Sequence, residues 1–499
     1  MTYMQSSGPS RFMYILGLRS LHRAQMHAHL SAMQAVNILD LIRKQAELQP
    51  NNVAFACVDS GQSISYADLI RQVDSVADWL RARGCQPFER CGLYCPEGPE
   101  FLVSALGILS AGLAVAPISI NVPPQELDRV IGAAGLDWLL GADKKLVRFP
   151  FAGFVDTRED RDYRATNPAY IRFTSGSTGP RKGVLLGHNT VLDRLATADA
   201  VLRITPQDRV WFRLPMSDHF VVSILLYLSR GAAVVTASTD EPEILSRLVS
   251  EFRPTIIYGS PESYSVLIEK LSGDLATVRL AICTTTLLAP KTRGAFQSRF
   301  ERPLNPALGI IEVGLVTLNQ TEYKPDSIGT PMPGYEVTLL DENGVKVPPG
   351  KPGELYVNGR GLLDAYLAPW RPRARILGSD GYATGDFATM DETGHLRLVG
   401  RSKNRLEVNG LHFFCEELEQ IINSYPGVQE SIVFIDPTTR ALSAQIVSQT
   451  ESYQGLGNFL RQRLDPRQIP VSFRKVEELP RTANGKLLRA PASPKARPE

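Results

Sequence analysis

Residues 170–183 read Tyr170-Ile171-Arg172-Phe173-Thr174-Ser175-Gly176-Ser177-Thr178-Gly179-Pro180-Arg181-Lys182-Gly183. The apolar run at 169–173 predicts a strand. The stretch 174–179 then carries nothing but hydroxyl side chains and glycine. So little bulk lets backbone N–H groups and hydroxyls close together on one anion. Pro180 stiffens the exit, and Lys182 supplies a point charge suited to phosphate. The stretch therefore reads as a grip on a polyphosphate. It is not the Walker loop, which sets Gly-Lys-Ser/Thr at the start of a helix, because Lys182 is followed by Gly183-Val184-Leu185-Leu186. Nor does it hold Gly-x-Gly-x-x-Gly. A flexible Ser/Gly linker has the same composition, but a linker needs neither a buried strand before it nor a lysine closing it.

At 499 residues the chain is long enough for more than one domain. A composition of 43% hydrophobic and 21% charged residues is that of an ordinary globular protein. A net charge of +2 offers no footing for nucleic acid or a membrane surface. The cysteines, Cys57, Cys85, Cys91, Cys95, Cys283 and Cys415, form no Cys-x-x-Cys, and read as reduced thiols of a cytoplasmic protein. There is no His-Glu-x-x-His. Residues 101–120 carry no charge and could span a bilayer by length, but Gly112 and Pro117 break the run. A buried helix followed by a buried strand is expected there, with no transmembrane segment.

Residues 1–35 hold no acidic side chain and are expected to be disordered or an over-extended start, although transit peptides share that composition. A helix is expected from Asn37, carrying Ile38, Leu39, Leu41 and Ile42 on one face, with Pro50 beyond its end. Strands follow at 53–57 and 91–95, with a capped helix between them that ends before Gly84. Helix and short buried strand alternate to about Pro303, the pattern of an α/β fold with mostly parallel sheets. The charged stretch 156–167 reads as a surface linker. Beyond Gly329 the texture changes to strands and tight turns, at Asn343-Gly344 and at 348–353, which reads as an antiparallel, barrel-like subdomain. A new unit starts at Ser402/Lys403, with a hairpin near Gly410, helices at 416–424 and 456–464, and strands at 431–435 and 442–447. The expected fold is thus α/β: a large domain at 36–401 with two α/β subdomains and a small β-barrel-like one, a small mobile α+β lid at 402–489, and a disordered tail at 490–499.

The phosphate loop closely resembles that of the adenylate-forming superfamily, which comprises acyl-CoA synthetases, adenylation domains of peptide synthetases and luciferases. Further landmarks follow in the family's order. Tyr66-Ala67-Asp68-Leu69 is similar to a recurring start in the large domain. Leu214-Pro215-Met216-Ser217-Asp218-His219 resembles the Pro-x-x-x-His segment, and Gly309-Ile310-Ile311-Glu312 stands in place of Tyr-Gly-x-Thr-Glu. Tyr382-Ala383-Thr384-Gly385-Asp386 matches Tyr-x-Thr-Gly-Asp, and Gly400-Arg401 follows. Pro480-Arg481-Thr482-Ala483-Asn484-Gly485-Lys486 matches the C-terminal lysine motif. Taken alone, His219 would be a structural histidine and Glu312 one surface acid among many. Their order and spacing make the case.

The resemblance implies an enzyme that uses ATP and Mg²⁺. In it, Thr174, Ser175, Gly176, Ser177, Thr178, Gly179 and Lys182 surround the phosphates, and Glu312 with Thr178 holds the metal. Leu308 and Gly309 flank adenine, while Asp386 takes the ribose hydroxyls and Arg401 the ribose or phosphate. His219, Phe220, Ser223, Thr285 and Thr286 line the acyl pocket, Lys403 is the hinge, and Lys486 bridges the substrate carboxylate and the α-phosphate. Catalysis would fall to Lys486, Thr178, Glu312 and His219. The product is acyl-AMP, passed to the thiol of coenzyme A or of a carrier protein's phosphopantetheine; partners are a small carboxylic acid and an acyl or peptidyl carrier protein, and the chain acts as a monomer or homodimer.

Several positions depart from the family pattern. Cys283-Thr284-Thr285-Thr286 replaces a glycine-rich turn near adenine, Leu308 replaces a stacking aromatic, Ile311 a threonine, and Glu407 a frequent lysine. They leave open a catalytically weakened nucleotide-binding relative. Amino-acid-activating members carry Asp where this chain has Phe220, and a phenyl ring cannot pair an ammonium unless it stacks over it. The expected substrate is therefore a fatty or aryl acid, the alternative being an unusual amino acid.

Overall fold

The computed structural model describes residues 36–149, 157–173, 182–320, 324–408, 410–448, 455–481 and 487. Residues 1–35, the loop 174–181, residues 482–486 with Lys486, and the tail from 488 lie outside the described residues. Every helix and strand among the described residues belongs to the compact unit that begins at Ile38.

Two large mixed sheets form the body. The first has nine strands, and its middle is parallel: Leu304–Ile310, Leu280–Cys283, Ile256–Gly259, Arg209–Phe212, Ala233–Thr236 and Val53–Cys57 lie side by side in that order. Antiparallel strands finish both edges. The second has eight strands, with Pro168–Phe173, Ala114–Pro117, Arg90–Tyr94 and Trp138–Gly141 parallel at its centre. Central strands of this kind are buried on both faces, and their sequences are accordingly mostly apolar, with Arg90 and Arg209 confined to strand starts. The uncharged run at 101–120 becomes the helix Pro99–Ser110, buried at every position from Phe101 to Leu109, and then the strand Ala114–Pro117. Among the described residues no helix is long and apolar enough to cross a membrane. Ser65 caps the helix Tyr66–Ala82, its side chain accepting a hydrogen bond from the Asp68 N–H.

Two expectations change. The charged stretch 156–167 is a helix, Thr157–Ala165, and not a linker. Glu159 and Asp160 sit in its first turn and Arg164 in its last, as the helix dipole favours, and Arg164 pairs with Asp160 at 2.9 Å. Its apolar anchor is one buried ring, Tyr163, edge-on to Trp370, too little for periodicity to reveal. The segment expected to be barrel-like is an open antiparallel sheet of four strands, Tyr335–Leu340, Gly353–Gly359, Tyr382–Met390 and Leu396–Arg401. Four strands cannot close a barrel at ordinary twist.

Beyond Arg401 the turn Ser402–Asn404 leads into the hairpin Arg405–Val408/Leu411–Phe414 and a three-stranded sheet, Val428–Ile435, Leu442–Ser448 and Ser472–Lys475. The helices Cys415–Asn423 and Leu456–Arg461 cover it over a separate core that includes Leu418, Ile422, Val433, Ile446 and Leu460.

His188, at the start of the helix His188–Leu202, accepts the Ile38 N–H on Nδ1 at 3.1 Å, so that nitrogen carries no proton. Burial pushes its pKa down to about 4 from 6.5. The unfolded chain therefore binds more protons than the folded one between pH 6.5 and about 4, and this contribution to stability is lost as pH falls through that window. Denaturant titrations across the window should show a flatter pH dependence for His188→Gln than for the parent protein. Equal slopes would contradict the account.

Candidate active site

The strand pair that carries the glycine-rich loop fixes where that loop begins and ends. Phe173 pairs with Gly183 across the antiparallel strands Pro168–Phe173 and Gly183–Gly187, so the chain leaves and returns at one point. On the other side of Gly183–Gly187 lies Ala365–Tyr366, with Tyr366 opposite Val184, and the Leu367 N–H donates to the Gly183 carbonyl at 2.8 Å. This contact brings Tyr366 to the loop's exit. The Lys182 ammonium lies over the Tyr366 ring, 5.0 Å from its centre.

Glu312 meets the same tyrosine. It sits in the turn joining Leu304–Ile310 to Gly314–Leu318 and is only 7% exposed. The Tyr366 hydroxyl donates to its Oε1 at 3.2 Å, and the Tyr382 hydroxyl lies 3.0 Å from that of Tyr366. Burial, reinforced by the Glu312 charge, raises both phenols well above their ordinary range, so both remain hydrogen-bond donors at neutral pH. The backbone around Glu312 is held as firmly. Arg194 donates to the carbonyls of Ile311 at 2.9 Å and Gly361 at 2.6 Å, and the Leu363 N–H donates to the Glu312 carbonyl at 2.7 Å. Arg194 is itself buried, which lowers its pKa to about 10. Gly314 and Gly361, both at positive φ, leave room for its stem: a Cβ on either would lie 3.0–3.2 Å from Arg194 atoms.

Asp386 and Arg401 are brought together as a cross-strand pair, with Arg401 Nε 2.8 Å from Asp386 Oδ1. Gly385, at φ +71°, sits where the strand's register shifts, and Thr384 Oγ1 accepts the Asp386 N–H at 3.0 Å while donating to the Leu355 carbonyl at 2.8 Å. Asp386 is buried, and its guanidinium partner is half exposed.

On the other flank, a helical turn at Met216–His219 runs into a π-helical turn, Phe220–Ile224. Such turns recur at functional sites because they re-aim side chains. Asp218 pairs with Arg172 at 3.2 Å, which ties this segment to the strand entering the loop. Glu97 accepts from the Ser217 N–H at 3.4 Å and hydroxyl at 3.3 Å, and burial raises its pKa. The His219 ring stands edge-on to Tyr258 at 5.9 Å. Phe220 is fully buried and packs edge-on against Phe101 at 6.0 Å, so its ring belongs to the core. Ser223 is buried and donates its hydroxyl to the His219 carbonyl at 2.6 Å.

Thr285 and Thr286 are exposed just past the strand Leu280–Cys283, at the end where parallel sheets present ligand sites. Leu308 packs in the main core, and the neighbouring Gly309 is the exposed one. Lys403 is exposed on the turn Ser402–Asn404. The expected roles of Thr174 to Gly179 and of Lys486 fall outside the described residues. Arg481 and Leu487, which flank the Lys486 segment, are bridged to each other, and Arg481 reaches both Glu430 at 2.5 Å and Glu262 at 3.8 Å. Glu262 opens the helix Pro261–Lys270, directly after the strand Ile256–Gly259. Arg481 thus contacts the same end of the first sheet. Sequence reasoning missed Tyr366 and Arg194. Neither belongs to a recognisable sequence motif, and Tyr366 meets Glu312 across 54 positions.

The family model described as AMP-binding enzyme matches residues 42–367. A feruloyl-CoA synthase of Amycolatopsis sp is 26% identical over 89% of this chain and 96% of its own length. A dimodular nonribosomal peptide synthase of Bacillus subtilis (strain 168) is also 26% identical, over 91% of this chain but 20% of its own length. Among solved structures, ATP-bound MatB from Rhodopseudomonas palustris superposes with a TM-score of 0.78 at 24% identity, covering 91% of this chain and 97% of that one.

Thr285 adopts φ +83°, which is costly for a β-branched residue, and strain of this kind collects at functional sites. Thr285→Gly should raise stability by about 1 kcal/mol in denaturant titration. A loss of stability would show that the backbone there is unstrained.

Proposed function

The chain belongs to the AMP-binding enzyme family, and we propose that it joins a carboxylic acid to AMP at the expense of ATP and passes the acyl group to a thiol. One observation carries the reading: the loop's Lys182 and the buried Glu312 converge on Tyr366, so a phosphate-binding cation and a metal-binding carboxylate share one corner. Among the described residues no cluster of three or more His, Cys, Asp or Glu side chains forms a self-sufficient metal site. A single carboxylate with hydroxyls beside it suits Mg²⁺, which keeps most of its waters and takes phosphate oxygens. Glu312, with Thr178, would hold it, and when bound it offsets charge on the β- and γ-phosphates.

The protein's own residues do the rest. A carboxylate and the α-phosphate repel, so the site must offset both charges and hold them in line. The loop N–H groups and Lys182 take the pyrophosphate end, while Asp386 and Arg401 take the ribose. Lys486 spans the two reacting groups. A carboxylate oxygen attacks the α-phosphorus, the bond to the β-phosphate oxygen breaks, and pyrophosphate leaves. The thiolate of coenzyme A or of a carrier protein then attacks the acyl carbon, and AMP departs with the carboxylate oxygen. Residues 402–489 act as the lid that brings Lys486 in, turning about Lys403.

The substrate proposed is an aryl or fatty acid without an α-amino group. Phe220 stands where amino-acid-activating members carry Asp, and Asp218, two residues before it, is already paired with Arg172. All six cysteines are buried free thiols, which suits the cytoplasmic placement we favour.

Purified protein with ATP, Mg²⁺ and a panel of acids should form acyl-AMP with aryl or fatty acids and not with free amino acids, by mass detection. Activity with amino acids alone would overturn the substrate class. Lys486→Ala should lose adenylation by orders of magnitude and still bind ATP; normal adenylation by this variant would remove Lys486 from the mechanism. Asp386→Ala should weaken AMP binding roughly 10- to 100-fold by calorimetry, the size of a lost hydrogen bond to a charged group. Unchanged affinity would move the ribose elsewhere.

A further inference from the structure

Tyr366 stands between two groups that the proposed reaction needs at a fixed separation. Its ring face carries the Lys182 ammonium at 5.0 Å, and its hydroxyl donates to Glu312 Oε1 at 3.2 Å. Its backbone is locked from both sides, paired with Val184 on the strand leaving the loop and with Arg371 on its other flank. A second phenol completes the arrangement. With the single Tyr366 proton given to Glu312, the proton in the 3.0 Å contact between the two hydroxyls comes from Tyr382. Tyr382 begins the strand that carries Asp386. Three sequence-distant pieces of the site, the loop, the Glu312 turn and the Asp386 strand, are therefore joined through two phenols.

We infer that Tyr366 is a positioning residue, which orients Glu312 for the divalent cation through its hydroxyl and Lys182 for the phosphates through its ring, with Tyr382 setting the hydroxyl. The inference rests on the acid-activation reading and extends it to Tyr366 and Tyr382. Occupying Oε1 with a donated hydrogen bond fixes the plane of the carboxylate that would hold the metal. Outer hydrogen bonds to a metal-binding carboxylate commonly govern affinity by about 10- to 100-fold. The two functions of Tyr366 are separable. Phenylalanine keeps the ring face beneath Lys182 and removes the hydroxyl, whereas leucine removes both.

The test is equilibrium binding of Mn²⁺, followed by electron paramagnetic resonance, to the full chain with α,β-methylene-ATP present. Affinity for the analogue alone is measured separately without metal. Tyr366→Phe should weaken Mn²⁺ binding about tenfold and leave metal-free analogue binding unchanged. Tyr366→Leu should weaken both. Tyr382→Phe should weaken Mn²⁺ binding less than Tyr366→Phe does, and it carries the test if the Tyr366 variants fail to fold. Parental Mn²⁺ affinity in folded Tyr366→Phe, or in Tyr382→Phe where that variant carries the test, would overturn the inference and leave the acid-activation reading intact. If the parent protein binds no Mn²⁺ with the analogue and forms no acyl-AMP, the acid-activation reading falls and this inference with it.

Discussion

The structure turns on a buried carboxylate that must be correctly aimed. Glu312 is nearly sealed from water, and removing a carboxylate from water is costly unless its charge is met by hydrogen bonds and nearby cations. The chain meets it with a phenol on Oε1, a second phenol behind it, and the buried Arg194 guanidinium donating to the preceding carbonyl. None of these groups lies near Glu312 in sequence. The fold brings them there, and a polyphosphate with its cation would find the charge already in place.

That placement follows from the sheets. Parallel strands gather their C-terminal ends at one edge, where the segment around Thr285 and the Glu262 helix both emerge. The second sheet sends its loop-bearing hairpin back beside Tyr366. The four-stranded sheet contributes Asp386 and Arg401 as neighbours in register. Arg481 then links the C-terminal sheet, through Glu430, to Glu262. Each piece of chemistry sits at an element's end and is held by that element's rigid interior.

Much of this was legible in the sequence, because apolar strands flanked by turn residues leave a strong mark. The strand at 53–57, the helix ending before Gly84 and the break at 101–120 follow from such patterns. Thr157–Ala165 was obscured because a helix held by one buried tyrosine has no apolar stripe to read. The contacts of Phe220 with Phe101 and of the Ser223 hydroxyl with the His219 carbonyl depend on a π-helical turn, which no periodicity in the sequence announces. Tyr366 left no local signal, since its role is defined by partners from two other segments.

The central claim is that a carboxylate attacks the α-phosphorus and leaves its oxygen with AMP. The most direct measurement is a full turnover with an oxygen-18-labelled carboxylic acid, ATP, Mg²⁺ and an acceptor thiol, followed by mass analysis of AMP and pyrophosphate. The account predicts one labelled oxygen in AMP and none in pyrophosphate. Label in pyrophosphate or in inorganic phosphate, or ADP as the nucleotide product, would contradict it.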